Sequence, residues 1–209
     1  MCAHDRTARA PQSLPASSLH RLLTDVIPAC PHDLLRDVAV LFSRRSTTKG
    51  DVLLSQGERW SDAWLIEQGL IRLCFVRRDG REFNKNFFSD GALVCPITPA
   101  MYAEPSLFAV VACESGSVWH ADAGKMRDVL ARGNVWEALQ RELLTRLVSH
   151  KLQREHDLLA LDGTARYLAF RRRFPSLAAR VPIAHLATYL GLTDVSLSRI
   201  RRALQSEQK

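Results

Sequence analysis

The 209-residue sequence lacks the features that mark membrane, secreted and zinc-binding proteins. No run approaches the roughly 20 apolar residues that a transmembrane helix needs, and residues 1–15 contain no apolar core after Arg6 and Arg9. We therefore expect a cytoplasmic protein with no membrane partner. The cysteines form no CxxC pair, which argues against a zinc motif and a disulfide framework, so most should be small core residues. They are Cys2, Cys30, Cys74, Cys95 and Cys113.

A catalytic metal site is also missing from the sequence. A metal-dependent enzyme built on a β-roll would need a cluster of histidine and carboxylate ligands within the β segment. Of the seven histidines, only His120 lies in the segment that we predict to be β-structured. Because no Ser/His/Asp or Cys/His set has a supporting context either, we expect no catalysis, no bound metal and no cofactor.

The positive charge is concentrated near the end of the chain. Residues 164–209 hold nine basic and two acidic side chains, which account for the whole net charge of +7. Such an asymmetry indicates a module that binds a polyanion, attached to a neutral body. The hydrophobic fraction of 46% suits two modest domains rather than one large one.

The first part of the chain changes from a helical to an alternating pattern. Residues 17–42 have apolar side chains at helical spacing and predict helices that pack on the β segment after them. Residues 49–121 alternate between apolar and polar positions, and the Asp79-Gly80 pair between two such runs predicts a β-hairpin. The alternating apolar positions are Ile71, Leu73, Phe75, Phe83 and Phe87. We predict an all-β roll or barrel here, in a chain of the α+β class.

Residues 135–161 predict one long helix, because they contain no glycine or proline and carry leucines at helical spacing. These leucines form an apolar stripe along the helix: Leu139, Leu143, Leu147, Leu152, Leu158 and Leu161. One small roll would cover so long a helix poorly, whereas a partner helix in a symmetric homodimer would cover it well. Packing against its own domain is the alternative.

The clearest pattern lies in residues 182–204. Pro182 suits the first turn of a helix, Gly191 suits its end, and Thr193 can cap the next helix. Two short helices joined by such a tight turn form a helix-turn-helix. The apolar positions that would hold them together are Ile183, Leu186, Ala187, Leu190, Leu197, Ile200 and Leu204.

The outer face of the second helix supplies the candidate DNA-binding residues. In a helix-turn-helix, the N-terminal part of the second helix meets base edges in the major groove. The residues predicted to contact bases are Asp194, Val195, Ser196 and Arg199. The residues predicted to contact phosphates are Thr193, Ser198, Arg201 and Arg202. Double-stranded DNA is thus the predicted partner.

Simpler interpretations stay open for several of these positions. A helix dipole stabilises Asp194 whether or not DNA is present, and Ser196 and Ser198 suit solvent equally well. The arginines at residues 171–173 suit a solvated helix end before Pro175 as well as they suit phosphate contacts.

Two stretches resemble the Crp/Fnr transcription regulators. One is the helix-turn-helix sequence IAHLATYLGLTDVSLSRIRRAL, and the other, similar to the first half of the family's β-roll, is KGDVLLSQGERWSDAWLIEQGLIRLCFVRRDGREF. The resemblance implies a cyclic-nucleotide-binding-like sensor domain, a double-stranded β-helix or jelly-roll, over residues 17–132. It implies a dimerisation helix over residues 133–162 and a DNA-binding domain over residues 163–209. It also implies a small-molecule effector and RNA polymerase as further partners.

Two departures from the family pattern bear on function. Family members that bind cyclic nucleotides carry a Gly-Glu pair for the ribose and an arginine for the cyclic phosphate. Here the corresponding positions are Gly91-Ala92 and Pro105-Ser106-Leu107. A buried phosphate without its arginine would go unpaired, so we expect neither cyclic AMP nor cyclic GMP as the effector. Because the sequence stops at Lys209, we also expect no full β-hairpin wing after the recognition helix.

The sequence therefore predicts a sequence-specific, DNA-binding transcriptional regulator. The alternative is a ligand-sensing or protein-interaction module whose helix-turn-helix does not bind DNA. The basic charge of the motif favours the first interpretation, because contacts to phosphates require it.

Overall fold

The computed structural model describes residues 16–206, so the prediction for Cys2 lies outside the described residues. The described strands are β1 (Ser43–Thr47), β2 (Val52–Leu54), β3 (Asp62–Gln68), β4 (Leu70–Val76), β5 (Glu82–Ser89), β6 (Leu93–Val94), β7 (Ala109–Ala112) and β8 (Gly116–Asp122). The described helices are α1 (Ala16–Val26), α2 (His32–Ala39), α3 (Pro99–Ala103), α4 (Ala123–Ala131), α5 (Val135–Ala160), α6 (Gly163–Arg173), α7 (Pro175–Arg180), α8 (Ile183–Leu190) and α9 (Asp194–Ser206).

The strands form two four-stranded antiparallel sheets that pack together as a roll. The strand order is β1-β8-β3-β6 in one sheet and β2-β7-β4-β5 in the other. The core between them includes the fully buried side chains of Ile66, Val110 and Val118. The predicted β-roll is confirmed, although it begins at Ser43 rather than at Lys49.

The hairpin predicted at Asp79-Gly80 joins β4 to β5. Gly80 has a φ of +79°, which favours glycine, and its amide donates a hydrogen bond to the carbonyl of Arg77 at 2.9 Å. Of the alternating apolar positions, Phe75 and Phe83 are 39% and 40% exposed. They lie beyond the point where β7 pairs with β4, so no third strand covers this end of the hairpin.

A β-bulge interrupts the pairing of β4 with β5. Leu73 pairs with Asn86 and Cys74 pairs with Asn84, so that Lys85 is an extra residue on β5. A bulge of this kind changes the face of the sheet to which the neighbouring side chains point. Asn84 contacts the C-terminal helices, whereas Lys85 lines a cavity between the roll and α5.

Helices α1, α2 and α4 pack with the start of α5 against the first sheet, which is the sheet of β1, β8, β3 and β6. This agrees with the packing that the sequence predicted for the N-terminal helices. The core that they share includes the fully buried Leu23, Leu35 and Met126. This packing closes the outer side of the first sheet and positions α5 along the roll.

Three cysteines are buried as predicted. Cys74, Cys95 and Cys113 are buried, whereas Cys30 is partly exposed. Burial raises the pKa of Cys95 to about 12, so its thiol stays protonated at neutral pH. Within residues 16–206, no group of histidine, cysteine and carboxylate side chains has the arrangement of a metal site.

The predicted long helix is present as α5. Its first half packs on its own roll, because Leu139 is buried and Leu143 and Leu147 are partly buried in the same core. The first half of α5 therefore follows the alternative of packing against its own domain, whereas Leu152 of the predicted stripe is exposed. The large apolar side chains that α5 exposes are Val148 (53%), Leu152 (62%) and Leu159 (81%).

Helices α6 to α9 form a C-terminal bundle that contacts the second sheet. Their shared apolar core includes Phe170, Leu186 and Leu197, together with Phe87 from β5. After β8, the described residues contain no further strand, and α9 continues to Ser206. None of the helices between residues 16 and 206 combines the length and apolar character needed to cross a bilayer.

Candidate nucleic-acid interface

Helices α8 and α9 form the predicted helix-turn-helix. Gly191 ends α8 with a φ of +67°, where other residues are strained, and the amide of Leu192 donates to the carbonyl of Ala187 at 2.9 Å. The hydroxyl of Thr193 accepts a hydrogen bond from the amide of Ser196 at 3.1 Å, which caps α9 as predicted. The turn is therefore fixed at both ends by local interactions.

A small apolar core fixes the orientation of α9. Leu186 and Ala187 of α8 and Leu197 of α9 are completely buried, and Tyr167 and Phe170 of α6 pack beside them. Because Leu197 lies on the inner face of α9, the side chains about half a turn away point to solvent.

The outer face of α9 is the candidate DNA-binding surface. The predicted site residues that are exposed are Thr193, Asp194, Val195, Arg199 and Arg202. Those that are partly buried are Ser196, Ser198 and Arg201. Val195 is 66% exposed, and no carboxylate among residues 16–206 forms an ion pair with Arg199 or Arg202. This face is thus positively charged and available to a ligand.

Several other basic residues of the C-terminal segment stabilise the fold. Arg166 donates to the last carbonyl of α8 at 2.7 Å, and Arg173 forms an ion pair with Asp157 at 2.9 Å. The guanidinium of Arg171 lies 5.9 Å from the centre of the Tyr167 ring. Part of the charge that the sequence concentrates here therefore serves the fold.

The helix-turn-helix is docked on the roll through α8 and β5. The side-chain amide of Asn84 donates to the hydroxyl of Thr188 at 2.8 Å and to the carbonyl of His185 at 3.1 Å. The rings of Phe87 and Tyr189 pack beside this contact with their centres 5.4 Å apart. These interactions fix how α9 is presented relative to the roll.

A cluster of ion pairs closes the same interface. Arg180, at the end of α7, contacts Asp90 at 2.7 Å and also pairs with Glu114. The carboxylate of Asp90 accepts a further hydrogen bond from the amide of Gly69 at 2.6 Å. Burial alone would raise the pKa of Asp90. The hydrogen bonds from Arg180 and Gly69 outweigh burial, so the pKa of Asp90 lies below its usual range. Asp90 is therefore ionised at neutral pH.

A cavity of about 710 Å³ lies between the roll, α5 and the C-terminal helices. One wall is aromatic, because the rings of Trp60 and Phe108 pack edge to face with their centres 5.5 Å apart. A second cavity of about 420 Å³ adjoins the first. The residues that line both are Lys85, Asn86, Leu147 and His150. The volume of the larger cavity is typical of a small-molecule site.

Residues 105–107, where the family resemblance would place the phosphate-binding group, supply no charge to this cavity. The hydroxyl of Ser106 donates to the carbonyl of Phe108 at 2.7 Å, and Leu107 is 75% exposed to solvent. Phe108 itself is buried in the aromatic wall.

Sequence reasoning did not identify Lys85, His150 or Arg154 as site residues. The one sequence feature that could have marked Lys85 is its position as a charged residue between Phe83 and Phe87 in a strand pattern. The bulge breaks the two-residue period at this position, so the pattern could not show which face the lysine occupies.

Residues 44–133 match the protein family described as the cyclic nucleotide-binding domain. The sequence has no match among curated proteins. The family match covers the roll with α3 and α4, whereas similarity in the C-terminal segment comes from solved structures.

Three solved structures share the fold of this chain. The c-di-GMP responsive global regulator CLP of Xanthomonas campestris is 13% identical, with a TM-score of 0.68 over 85% of this chain and 93% of that chain. FixK2 from Bradyrhizobium japonicum is 19% identical, with a TM-score of 0.67 over 80% and 86% of the two chains. A CooA mutant from Carboxydothermus hydrogenoformans is 14% identical, with a TM-score of 0.63 over 88% and 84%.

The chain has the fold of the Crp/Fnr transcription regulators, which confirms the resemblance seen in the sequence. Within it, residues 44–133 are similar to the cyclic nucleotide-binding domain.

Proposed function

We propose that the protein is a cytoplasmic, homodimeric transcriptional regulator that binds double-stranded DNA at specific sequences. The observation that carries this proposal is the outer face of α9, where Val195, Arg199 and Arg202 are exposed on a helix whose position is fixed by its cap and by Leu197. A positively charged helix of this kind matches the major groove in shape and charge.

The residues at the start of α9 would determine the sequence preference. Arg199 can donate two hydrogen bonds to guanine, Val195 can contact a thymine methyl group, and Asp194 can accept from a cytosine amine. Ser196 is the fourth residue that we assign to base contacts. The residues that we assign to phosphates are Thr193, Ser198, Arg201 and Arg202.

The exposed apolar face of α5 is the surface that we assign to the homodimer. Val148, Leu152 and Leu159 form it, and they are the more exposed side of a helix whose other side packs on the roll. An antiparallel or parallel copy of α5 would remove these side chains from water at about 25 cal/mol per Å² of apolar surface. A dimer would present two copies of α9 to DNA.

The cavity beside Lys85 is the place that we assign to a small-molecule effector other than cyclic AMP or cyclic GMP. Its lining has no arginine at the phosphate position of the family pattern, and its wall at that point is the apolar Phe108. A cyclic phosphate held as in the family pattern would therefore lie beside Phe108 without an arginine to donate to it. RNA polymerase completes the proposed partners, because a regulator of transcription acts on it at the promoter.

The test is a selection of bound duplexes from random DNA, followed by titrations at several salt concentrations. The expected product is a two-fold symmetric site with half-sites about 10 base pairs apart. Affinity for this site should fall with salt by about 0.9 log units per log unit for each phosphate contact. If affinity for every duplex is absent or insensitive to salt, the helix-turn-helix belongs to a protein-interaction module instead.

A further inference from the structure

Lys85 is a half-buried cation without an acidic partner. Its ammonium group lies 4.5 Å from the centre of the Phe108 ring, and no carboxylate among residues 16–206 forms an ion pair with it. Burial, together with the nearby positive charges of Lys151 and Arg154, lowers the pKa of Lys85 to about 8. The bulge in β5 places this side chain at the cavity, whose lining carboxylates, Asp25 and Glu142, form no ion pair with it.

The wall of α5 that faces Lys85 adds two more cations. Lys151 and Arg154 line the smaller cavity, together with His150 and one carboxylate, Glu155. Arg154 donates to the carbonyl of Tyr189 at 3.0 Å, but its buried Nε has no hydrogen-bond partner in the described part of the chain. A buried donor without a partner is costly, and an acceptor bound here would satisfy it.

The rest of the larger cavity is mainly apolar. The lining residues nearest to the roll core include Trp60, Leu73, Phe88 and Phe108. Such a wall favours a ring or a branched hydrocarbon, because burial of apolar surface is the main source of affinity in a site of this kind. The cavity therefore combines one positively charged region with an apolar body of the size of a small molecule.

We propose that this cavity binds a small organic acid, in which one carboxylate pairs with Lys85 and an aromatic or branched apolar body lies against Trp60 and Phe108. The carboxylate supplies the counter-charge that Lys85 lacks, and a charge-assisted hydrogen bond in a poorly solvated site is strong. The binding itself is independent of DNA. Its role as the effector rests on the proposed function.

The position of Lys85 gives the acid a direct route to the helix-turn-helix. The preceding residue, Asn84, is hydrogen-bonded to Thr188 of α8, and Arg154 contacts both the cavity and the backbone of Tyr189. A ligand that displaces Lys85 or Arg154 would therefore change the contacts that Asn84 and Arg154 make with α8.

The test uses isothermal titration of the full-length protein with a panel of monocarboxylates: 2-naphthoate, 4-phenylbutyrate and 3-methylbutyrate, each paired with its primary amide. At least one acid should bind at least tenfold more tightly than its amide. Lys85→Met should weaken that acid at least tenfold and leave the amide unchanged, whereas Lys85→Arg should retain binding. Lys125→Met is the matched control, because Lys125 is an exposed lysine on α4, and it should bind like the wild type.

A parallel titration of the selected DNA site, with and without the acid, separates this proposal from the proposed function. Acid binding that depends on Lys85 supports the proposal even if no duplex is bound. Three results overturn it, whatever the DNA titration gives: no acid of the panel binds, acid and amide bind equally, or folded Lys85→Met binds the acid like the wild type.

Discussion

The side-chain amide of Asn84 in β5 donates a hydrogen bond to the hydroxyl of Thr188 in α8 at 2.8 Å, across 104 positions of sequence. Asn84 also accepts from the buried guanidinium of Arg72 at 3.1 Å, and Arg72 pairs with Glu82 at 2.6 Å. The two modules of the protein are therefore joined by a partly buried polar network, which requires a defined geometry in a way that apolar packing does not.

The contact between Asn84 and Thr188 can be measured with a double-mutant cycle. Asn84→Ala and Thr188→Val should each lower the free energy of unfolding, and the double variant should lose less than the sum, with a coupling of about 0.5–3 kcal/mol. Urea unfolding followed by circular dichroism gives these values. Additive losses would show that the two side chains do not stabilise each other.

The ion pair between Arg180 and Asp90 predicts a dependence of stability on pH. A carboxylate whose pKa is lowered in the folded state stabilises the protein at neutral pH and loses this effect as the pH falls through its folded pKa. Arg180→Gln should therefore lower the Tm at pH 7, and the difference from the wild type should shrink as the pH falls below about 4.

The control for this prediction is Arg132→Gln. Arg132 pairs with Asp37 at 3.1 Å, but both side chains are more than half exposed, and ion pairs of this kind contribute little. Its Tm should match that of the wild type at every pH. An Arg180→Gln deficit that persists unchanged in acid would mean that Arg180 acts through packing rather than through its carboxylate partners.

The desolvation of Lys85 predicts that its charge destabilises the fold. Because its pKa is lowered to about 8, the folded protein binds fewer protons here than the unfolded chain between pH 8 and the ordinary lysine range, so stability rises with pH in that window. Lys85→Met should therefore keep or raise the Tm at pH 7, with a smaller difference near pH 10.

The titratable or charged side chains that share the two cavities with Lys85 are Asp25, Cys95, Glu142, Arg146, His150, Lys151, Arg154, Glu155, Arg173 and Tyr189.

A clear drop in the Tm of Lys85→Met at pH 7 would argue that the ammonium is well solvated or paired in the folded protein. His150 is not expected to produce the same pH effect, because burial, with Arg154 nearby, lowers its pKa below the ordinary histidine value. Its titration thus falls on the acidic side of pH 7.

The apolar face of α5 predicts the oligomeric state. Leu152→Glu places a charge at the middle of this face and should convert the dimer to a monomer, since an unpaired charge is costly in an apolar interface. Sedimentation equilibrium measures the result. The matched control is Leu107→Glu, at an exposed leucine on the roll, which should leave the dimer intact. Equal behaviour of the two variants would place the interface elsewhere.

The sequence predicted those parts of the fold that depend on local interactions. The helix-turn-helix, the hairpin at Gly80 and the long helix α5 follow from periodicity and from turn and cap residues, and the structure has all three. The candidate surface on α9 was predicted for the same reason. Its use in DNA binding stays a prediction.

The parts that the sequence did not predict depend on long-range contacts. The exposure of Phe75 reflects where β7 stops pairing with β4, and the orientation of Lys85 reflects a bulge that shifts the strand period. The docking of α8 on β5 joins residues more than 100 positions apart. No local pattern carries this information.

The central claim, that α9 recognises base pairs, is tested most directly by Arg199→Ala on the selected duplex and on each of its single base-pair variants. The predicted result is a loss of about 1–3 kcal/mol that vanishes when one particular base pair of each half-site is changed, with folding intact. Arg36→Ala, at an exposed arginine on α2, should bind like the wild type. The claim is contradicted if the folded wild-type protein has no salt-sensitive affinity for any duplex, with or without an organic acid in its cavity.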